Sequence, residues 1–428
     1  MSNLDSAISA RGEAPLPSQL DYSITPSSTA IVDRKTCVRA YPVSGDRISP
    51  TGPKNINIHL GGDHMLDAST ARLMFTIQNL DGTKDLNFLG AGPWCAFSTV
   101  RLLSNGTEID FLDQYGRWHE WTYLTLPWHD QWSEQSVCGW GGSFDSANGL
   151  LKSGQPSNGK IQAGEKVTVM MKLNLSLFNS QKLLPLRFMP LELHLTLADS
   201  ADWISPSASH SQTYQLTNFE VVYDQCVLDE GVTNSLYQSL LNSRILSMPV
   251  VRAHQFSRSI ASGATTVDLS VQRAFSKVSA IIVSFSGSSA QNSDFRSPST
   301  PTSTTGAIPA IDDGSPAWCP SIRVSLGGKN FPDPSPLDNL ALFYHQLAKG
   351  LGYSPMITRD DFSSDTFCAF FDFKRVPFDH GSALSTRSGD LIRIEIKNLT
   401  ADRATKVHVV VLSYGSLAVR ESGVAILD

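Results

Sequence analysis

Short segments carrying histidine, serine or paired glycines are the first candidates for chemistry. His119-Glu120, in WHEWTYL, begins like the zinc-protease motif HExxH, in which two histidines one helical turn apart share a metal and the glutamate acts as base. The position of the second histidine is Tyr123, so that chemistry is excluded. Gly141-Gly142-Ser143-Phe144-Asp145 starts like the turn that exposes a nucleophilic serine, yet Asp145 stands where the last glycine belongs and no strand-to-helix turn is expected around it. The pairs Asp63-His64 and His129-Asp130 lack the further clustered ligands that a metal needs and read as ordinary hydrogen-bonding groups. Gly61-Gly62 and Gly327-Gly328 match neither a P-loop nor a dinucleotide fingerprint and read as turns after strands. The expectation is therefore no enzyme: no catalytic, cofactor-binding or metal residue and no cofactor.

A different chemistry is open to the tryptophans. Five of the eight (Trp118, Trp121, Trp128, Trp132 and Trp140) fall within residues 112–160. Aromatic faces bind sugar rings, so a lectin-like carbohydrate-binding β-sandwich is the alternative reading. The plainer one is that the indoles anchor a long loop onto the protein or onto a neighbouring subunit.

The elements that must position such residues follow from bulk properties and periodicity. At 428 residues, with 41% apolar and 17% charged residues, the chain is long enough for two ordinary domains and shows no sign of wholesale disorder. A net charge of −6, a pI near 5.9 and the lack of any basic run argue against direct, sequence-specific nucleic-acid binding. The first thirty residues lack a basic start followed by an apolar stretch, and no run of eighteen apolar residues occurs. Neither export by signal peptide nor membrane spanning is expected. Cys37, Cys95, Cys138, Cys226, Cys319 and Cys368 show no CxxC spacing and read as reduced, buried thiols of a protein made in the cytoplasm. The sequons at Asn105, Asn174 and Asn398 read as chance.

Alternation of apolar and polar residues dominates, which predicts an all-β protein with few helices. Strands are expected at 55–60, 71–79, 96–104, 166–177, 190–197 and 214–224, then at 265–271, 277–285, 320–326, 367–373, 390–397 and 406–414. Between the two sets, Leu228, Val232, Leu236 and Leu240 recur every four residues after the early carboxylates Asp229 and Glu230, which predicts a short linking helix over 229–244. The division expected is an N-terminal arm (1–30), a first β unit (31–228), the helix, and a second β unit (245–428). Two long connections, 112–160 and the Ser/Thr/Pro/Gly tract 286–317, are expected as structureless surface loops.

A weak internal repeat supports the division. Ser98-Thr99-Val100-Arg101-Leu102 echoes Pro320-Ser321-Ile322-Arg323-Val324 at an offset of 222, and Leu112-Asp113-Gln114 echoes Leu337-Asp338-Asn339 at 225. Gly164-Glu165-Lys166-Val167 is matched with Gly389-Asp390-Leu391-Ile392, again at 225, and the strands around His194 and His408 also look alike. Each unit then has about 200 residues and roughly eight strands, the size of a jelly roll with long loops.

Three blocks resemble a known family: LLPLRFMPLELHLTLADSADW (Leu183 to Trp203), YQLTNFEVVYDQCVLDEGVTNSLYQSLL (Tyr214 to Leu241), and Gln272-Arg273-Ala274-Phe275-Ser276-Lys277-Val278 followed by SAIIVSF. In order and spacing they resemble the double jelly-roll major capsid proteins of the adenovirus-hexon-like virus lineage, closest to those of polinton-like viruses. The resemblance implies two tandem eight-stranded jelly rolls and a homotrimeric, pseudo-hexameric capsomer tiling an icosahedral shell around a double-stranded DNA genome. It also implies location in the virion and, as partners, neighbouring capsomers, a penton protein, minor or cement proteins, and an internal membrane in some members. The polar segment Arg11 to Ala30 is expected either to lie on a neighbour as a tying arm or to stay unfolded.

Overall fold

The computed structural model describes residues 32–427 except 44, 89–91, 140–143, 146–149, 152–159, 181, 205–207, 243–244, 287–319, 327, 356, 358–361, 363–366, 375–383, 387–390, 400–404 and 421–422. The expected N-terminal arm, the Ser143 turn, Trp140, Cys319, Gly327 and nearly all of the 286–317 tract lie outside the described residues.

The first half contains β1 (Val32–Ala40), β2 (Asn55–Leu60), β3 (Met65–Asp67), β4 (Arg72–Asn79), β5 (Phe97–Ser104), β6 (Thr107–Asp113), β7 (Lys166–Lys172), β8 (Leu183–Pro185), β9 (Leu191–Leu197) and β10 (Tyr214–Leu228). The second contains β11 (Leu246–Ser259), β12 (Val267–Val271), β13 (Val278–Ser286), β14 (Ser321–Leu326), β15 (Lys329–Phe331), β16 (Cys368–Asp372), β17 (Ile392–Lys397), β18 (Lys406–Arg420) and β19 (Gly423–Leu427). The main helices are α1 (Tyr115–Leu124), α2 (Trp128–Cys138), α3 (Glu230–Leu241) and α4 (Leu340–Leu351).

Pairing is antiparallel and repeats itself. In the first unit one sheet runs β1-β10-β4-β7 and the other β2-β9-β5-β6. In the second unit the sheets run β11-β18-β13-β16 and β12-β17-β14-β15. Setting aside the short β3 and β8 and the terminal β19, both units use the order first-last-third-sixth and second-seventh-fourth-fifth, which is a jelly roll used twice. In each unit alternate residues face inward: β9, with Leu191, Leu193, Leu195 and Leu197 buried between half-exposed neighbours, is typical. Phe75, Phe97 and Phe219 pack at the centre of the first sandwich, and Phe285, Phe343, Phe362 and Phe367 in the second.

The repeat holds at two places and fails at two. Val100 pairs with Leu112 as Ile322 pairs with Leu337, and Gln114 and Asn339 are the residues immediately preceding α1 and α4. The other matches join non-equivalent strands. Lys166-Val167 opens β7, the sixth strand of its unit, whereas Ile392 opens β17, the seventh; His194 lies on β9 and His408 on β18. Period-two patterns look alike on any half-buried strand, so similarity of pattern does not fix order in a sheet.

Three further expectations are corrected. Residues 112–160 are not structureless, since α1 and α2 occupy Tyr115–Leu124 and Trp128–Cys138. The linking helix is capped by Asp229, whose carboxylate accepts from Gly231 N at 3.0 Å, but its four-residue stripe is not a buried face. Leu240 is buried, while Val232 stays 38% exposed, because the helix touches the first unit mainly through Tyr237, which stacks edge-on to Phe188 and donates to Asp63 O. Cys37 is exposed rather than buried, since it sits on β1 at the rim of its sheet, while Cys95, Cys138, Cys226 and Cys368 are buried and carry no disulfide.

Candidate functional site: the seam between the two sandwiches

The described residues place the tested motifs in structural roles. His119 is buried, donates from Nε2 to Lys172 O at 3.0 Å and stacks on Trp94 at 4.3 Å between ring centres. Burial holds its imidazole down at about 4, so it is neutral. Glu120 accepts from Trp94 Nε1 at 2.7 Å and from Gly92 N at 3.3 Å. Both side chains fasten α1 to the first sandwich. Asp63 and His64 are exposed at a turn, and His129 lies 3.7 Å from Asp130 in solvent. Among the described residues no three His, Cys, Asp or Glu side chains are grouped to hold a metal ion.

Helix α1 is two-sided. Gln114, in the left-handed region at φ 54°, turns the chain directly from β6 into the helix. Tyr115, His119 and Tyr123 follow at four-residue spacing and face the first sandwich, where the Tyr115 hydroxyl accepts from Asn174 N at 3.1 Å. Arg117, Trp121 and Leu124 face the second. Arg117, 4% exposed, donates to Phe285 O at 2.8 Å and to Ser284 Oγ at 3.4 Å. Trp121 donates from Nε1 to Cys368 Sγ at 3.4 Å and stacks on Phe370 at 6.3 Å, and Trp118 stacks on Trp121 at 5.5 Å. Burial pushes the Cys368 thiol up to about 12, which leaves it an inert acceptor.

This covering explains why every residue of β13 is buried: Ile281, Val283 and Phe285 face the second core, and Ala280, Ile282 and Ser284 lie beneath α1. The second unit reciprocates. β11 and β18 outrun their own sandwich, and Met248, Val250, Ala253, Leu417, Val419 and Val424 join the core of the first unit. Asp110 of β6 is buried beside Arg252 of β11 and accepts from Ser176 N at 2.7 Å; burial outweighs these partners and raises its carboxyl above the usual range. His254 donates to or accepts from Ser413 Oγ at 3.0 Å, and His408 does the same with Ser286 Oγ at 3.0 Å. Burial first, then nearby Arg and Lys charges, hold these imidazoles at about 3 and about 2. A half-open pocket of about 590 Å³ lies at the seam, lined in part by Trp94, Trp121, Val251, Phe370 and Tyr414.

The tryptophan stretch thus divides. Trp118 and Trp121 anchor the seam, whereas Trp128 and Trp132 on α2 remain 54% and 42% exposed, 5.9 Å apart. Arg117 and the overrunning end of β18 went unread in the sequence, since nothing local distinguishes a buried arginine on a helix or the far half of a long strand.

No protein-family model matches the sequence, and no curated protein matches it. Solved structures do. The chain is similar to the PBCV-1 virus capsid protein (TM-score 0.63, 12% identity, 94% of this chain and 99% of that one). It is similar to Faustovirus major capsid protein (TM-score 0.57, 9% identity, 96% and 93%) and to a chain of the Sputnik virophage (TM-score 0.56, 9% identity, 97% and 92%). Over nearly its whole length, then, this chain has the double jelly-roll fold that these viral capsid proteins share.

Proposed function

We propose that the protein is a viral major capsid protein with a structural and not an enzymatic role, located in the virion. The observation that carries this reading is the doubled strand order, combined with likeness in fold to capsid chains along almost their entire length. A shell block needs two properties that the seam supplies. Its sandwiches must be held in one fixed relation, and here each contributes to the other's core. Its sheet edges must be guarded against uncontrolled pairing, and α2 and α4 pack against the edge strands β7 and β16. The proposed division is an arm at 1–30, jelly rolls at 31–228 and 245–428, and the linker at 229–244.

In the finer proposal three chains form a pseudo-hexameric homotrimer that tiles an icosahedral shell around double-stranded DNA. Its partners are neighbouring capsomers, a penton protein, minor or cement proteins and, where present, an internal membrane; polinton-like viruses are the proposed source and the host cytoplasm the site of synthesis. Light scattering coupled to size-exclusion chromatography, with negative-stain imaging, tests this: trimers appearing as hexagonal plates are expected, and a monodisperse monomer at all concentrations refutes it. The exposed Trp128–Trp132 pair favours a second reading, a glycan-binding face. Binding of the monomer to a glycan array, lost in Trp128→Ala, would favour it over the shell.

A further inference from the structure

The seam inside one chain is a contact between the helical insertion of the first unit and the outer face of the second unit's first-last-third-sixth sheet. Both partners of that contact exist twice in the chain, but the contact is made once. The insertion of the second unit is α4, which follows Asn339 as α1 follows Gln114. Carrying the offset of 225 along the helix, Arg117, Trp121 and Leu124 correspond to Leu342, Gln346 and Lys349. The first three are buried on the neighbouring sandwich. Of the second three, Leu342 is 46% exposed, Lys349 is exposed and Gln346 is half-buried, while Leu340, Phe343 and Leu347 on the opposite face fill α4's own core.

The receiving face is duplicated as well. The inward rows Leu73-Phe75-Ile77 and Ile281-Val283-Phe285 correspond, so the outward residues Met74 and Thr76 stand where Ile282 and Ser284 stand. Met170 and Thr168 pair with Met74 and Thr76 as Phe370 and Cys368 pair with Ile282 and Ser284. Val222 occupies the place of Leu412. In the second unit this surface is covered by α1 together with the end of α4, whose Gly350 lies against the Phe370 ring, and Ile282 and Phe370 are 2% and 4% exposed. In the first unit Thr168 is exposed and Met74, Met170 and Val222 are partly so. α2 covers one side of this face, where its Glu134 is tied to Arg72 of β4 by two bonds of 2.7 and 2.8 Å and its C-cap Gly139 lies against Thr168 O.

We infer that α4 of one copy docks, through Leu342, Gln346 and Lys349, on the outer face of the first sandwich of a second copy, around Met74, Thr168, Met170 and Val222. The contact continues the established seam, with a new chain in place of the linker. Its chemistry matches on the apolar side, where Leu342 meets the Met74, Met170 and Val222 surface; the acids of that sheet, Glu220 and Asp224, are already paired with Arg39 and Lys35. Because donor and receiver are different surfaces, the association is head-to-tail, and a repeated head-to-tail contact closes into a ring when its rotation allows. The inference rests on the self-assembling role proposed above and names the surface that performs it.

The test places cysteines at the counterparts of Trp121 and Cys368, which touch within one chain. Gln346→Cys and Thr168→Cys are combined in a Cys37→Ser background and treated with a short bismaleimide. Species of two and three chain masses are expected on a denaturing gel from the double variant and not from either single one. Leu342→Asp, at a solvent-exposed position, should keep the wild-type melting temperature at concentrations where both proteins are monomeric and raise the dissociation constant of the oligomer at least tenfold. A wild-type oligomer that neither cross-links nor responds to Leu342→Asp overturns this contact and leaves self-assembly standing. A wild type that is monomeric at every concentration overturns both.

Discussion

Acid should weaken this protein through three buried histidines. In the folded chain His119, His254 and His408 are held at about 4, 3 and 2, all below the ordinary value near 6.5. Below pH 6.5 the unfolded chain therefore binds more protons than the folded one, and stability falls as pH falls toward those lowered values. It is fully present above pH 6.5. Each histidine contributes a slope of about 1.4 kcal/mol per pH unit, so moving from pH 6.5 to 5 costs about 2 kcal/mol per residue and about 6 kcal/mol for the three. That is comparable with the whole stability of a typical domain, about 5–15 kcal/mol. Asp110 acts in the opposite sense, because burial raises its carboxyl and protonation relieves that cost. Denaturant unfolding at fixed ionic strength from pH 7.5 to 5 measures the slope, and Asp110→Asn removes the opposing group. His408→Gln, which keeps a partner for Ser286, should reduce the slope by about one proton's worth, about 1.4 kcal/mol per pH unit. A flat profile over this range, or an unchanged slope in His408→Gln, would refute the reasoning.

Other expectations test the seam. Trp121→Ala removes the ring on Phe370 and should cost about 3–5 kcal/mol, splitting one thermal transition into two in calorimetry as the sandwiches uncouple. Leu417→Ala should cost about 2–5 kcal/mol and, although it lies in the last long strand, should raise amide exchange in the first unit around Ile109 and Leu112, whose core it fills. Gly350→Ala drives a Cβ into the Phe370 ring, so a loss of about 1–3 kcal/mol in denaturant titration is expected from the forced shift.

Much of the fold was legible because many of the strands bury only one face. Alternation in NINIHL, LELHLTL and VDLSV marks β2, β9 and β12 directly. β1, VDRKTCVRA, was missed since it is exposed on nearly every residue and carries no periodic signal. α2 was missed for an inverse reason: it buries Gln131, Gln135 and Cys138 and shows Trp128, Trp132 and Val137 to solvent, so its apolar pattern points the wrong way. α4 was readable, with Asn339 as cap, Leu340, Phe343 and Leu347 on one face and Gly352 ending the helix in the left-handed region, yet it went unread beside the stronger strand signals.

By itself, then, the sequence determined the β class, most strand positions, the doubling and the helix between the halves, since each depends on local period and capping. Only the tertiary structure decided which strands are equivalent, that Trp121 and Arg117 cross to the other sandwich, and that β18 ends in the first core. Those facts depend on contacts between residues distant in the chain, 168 positions for Arg117 and Phe285 and 247 for Trp121 and Cys368, and a side chain's type records that it is buried without recording against what.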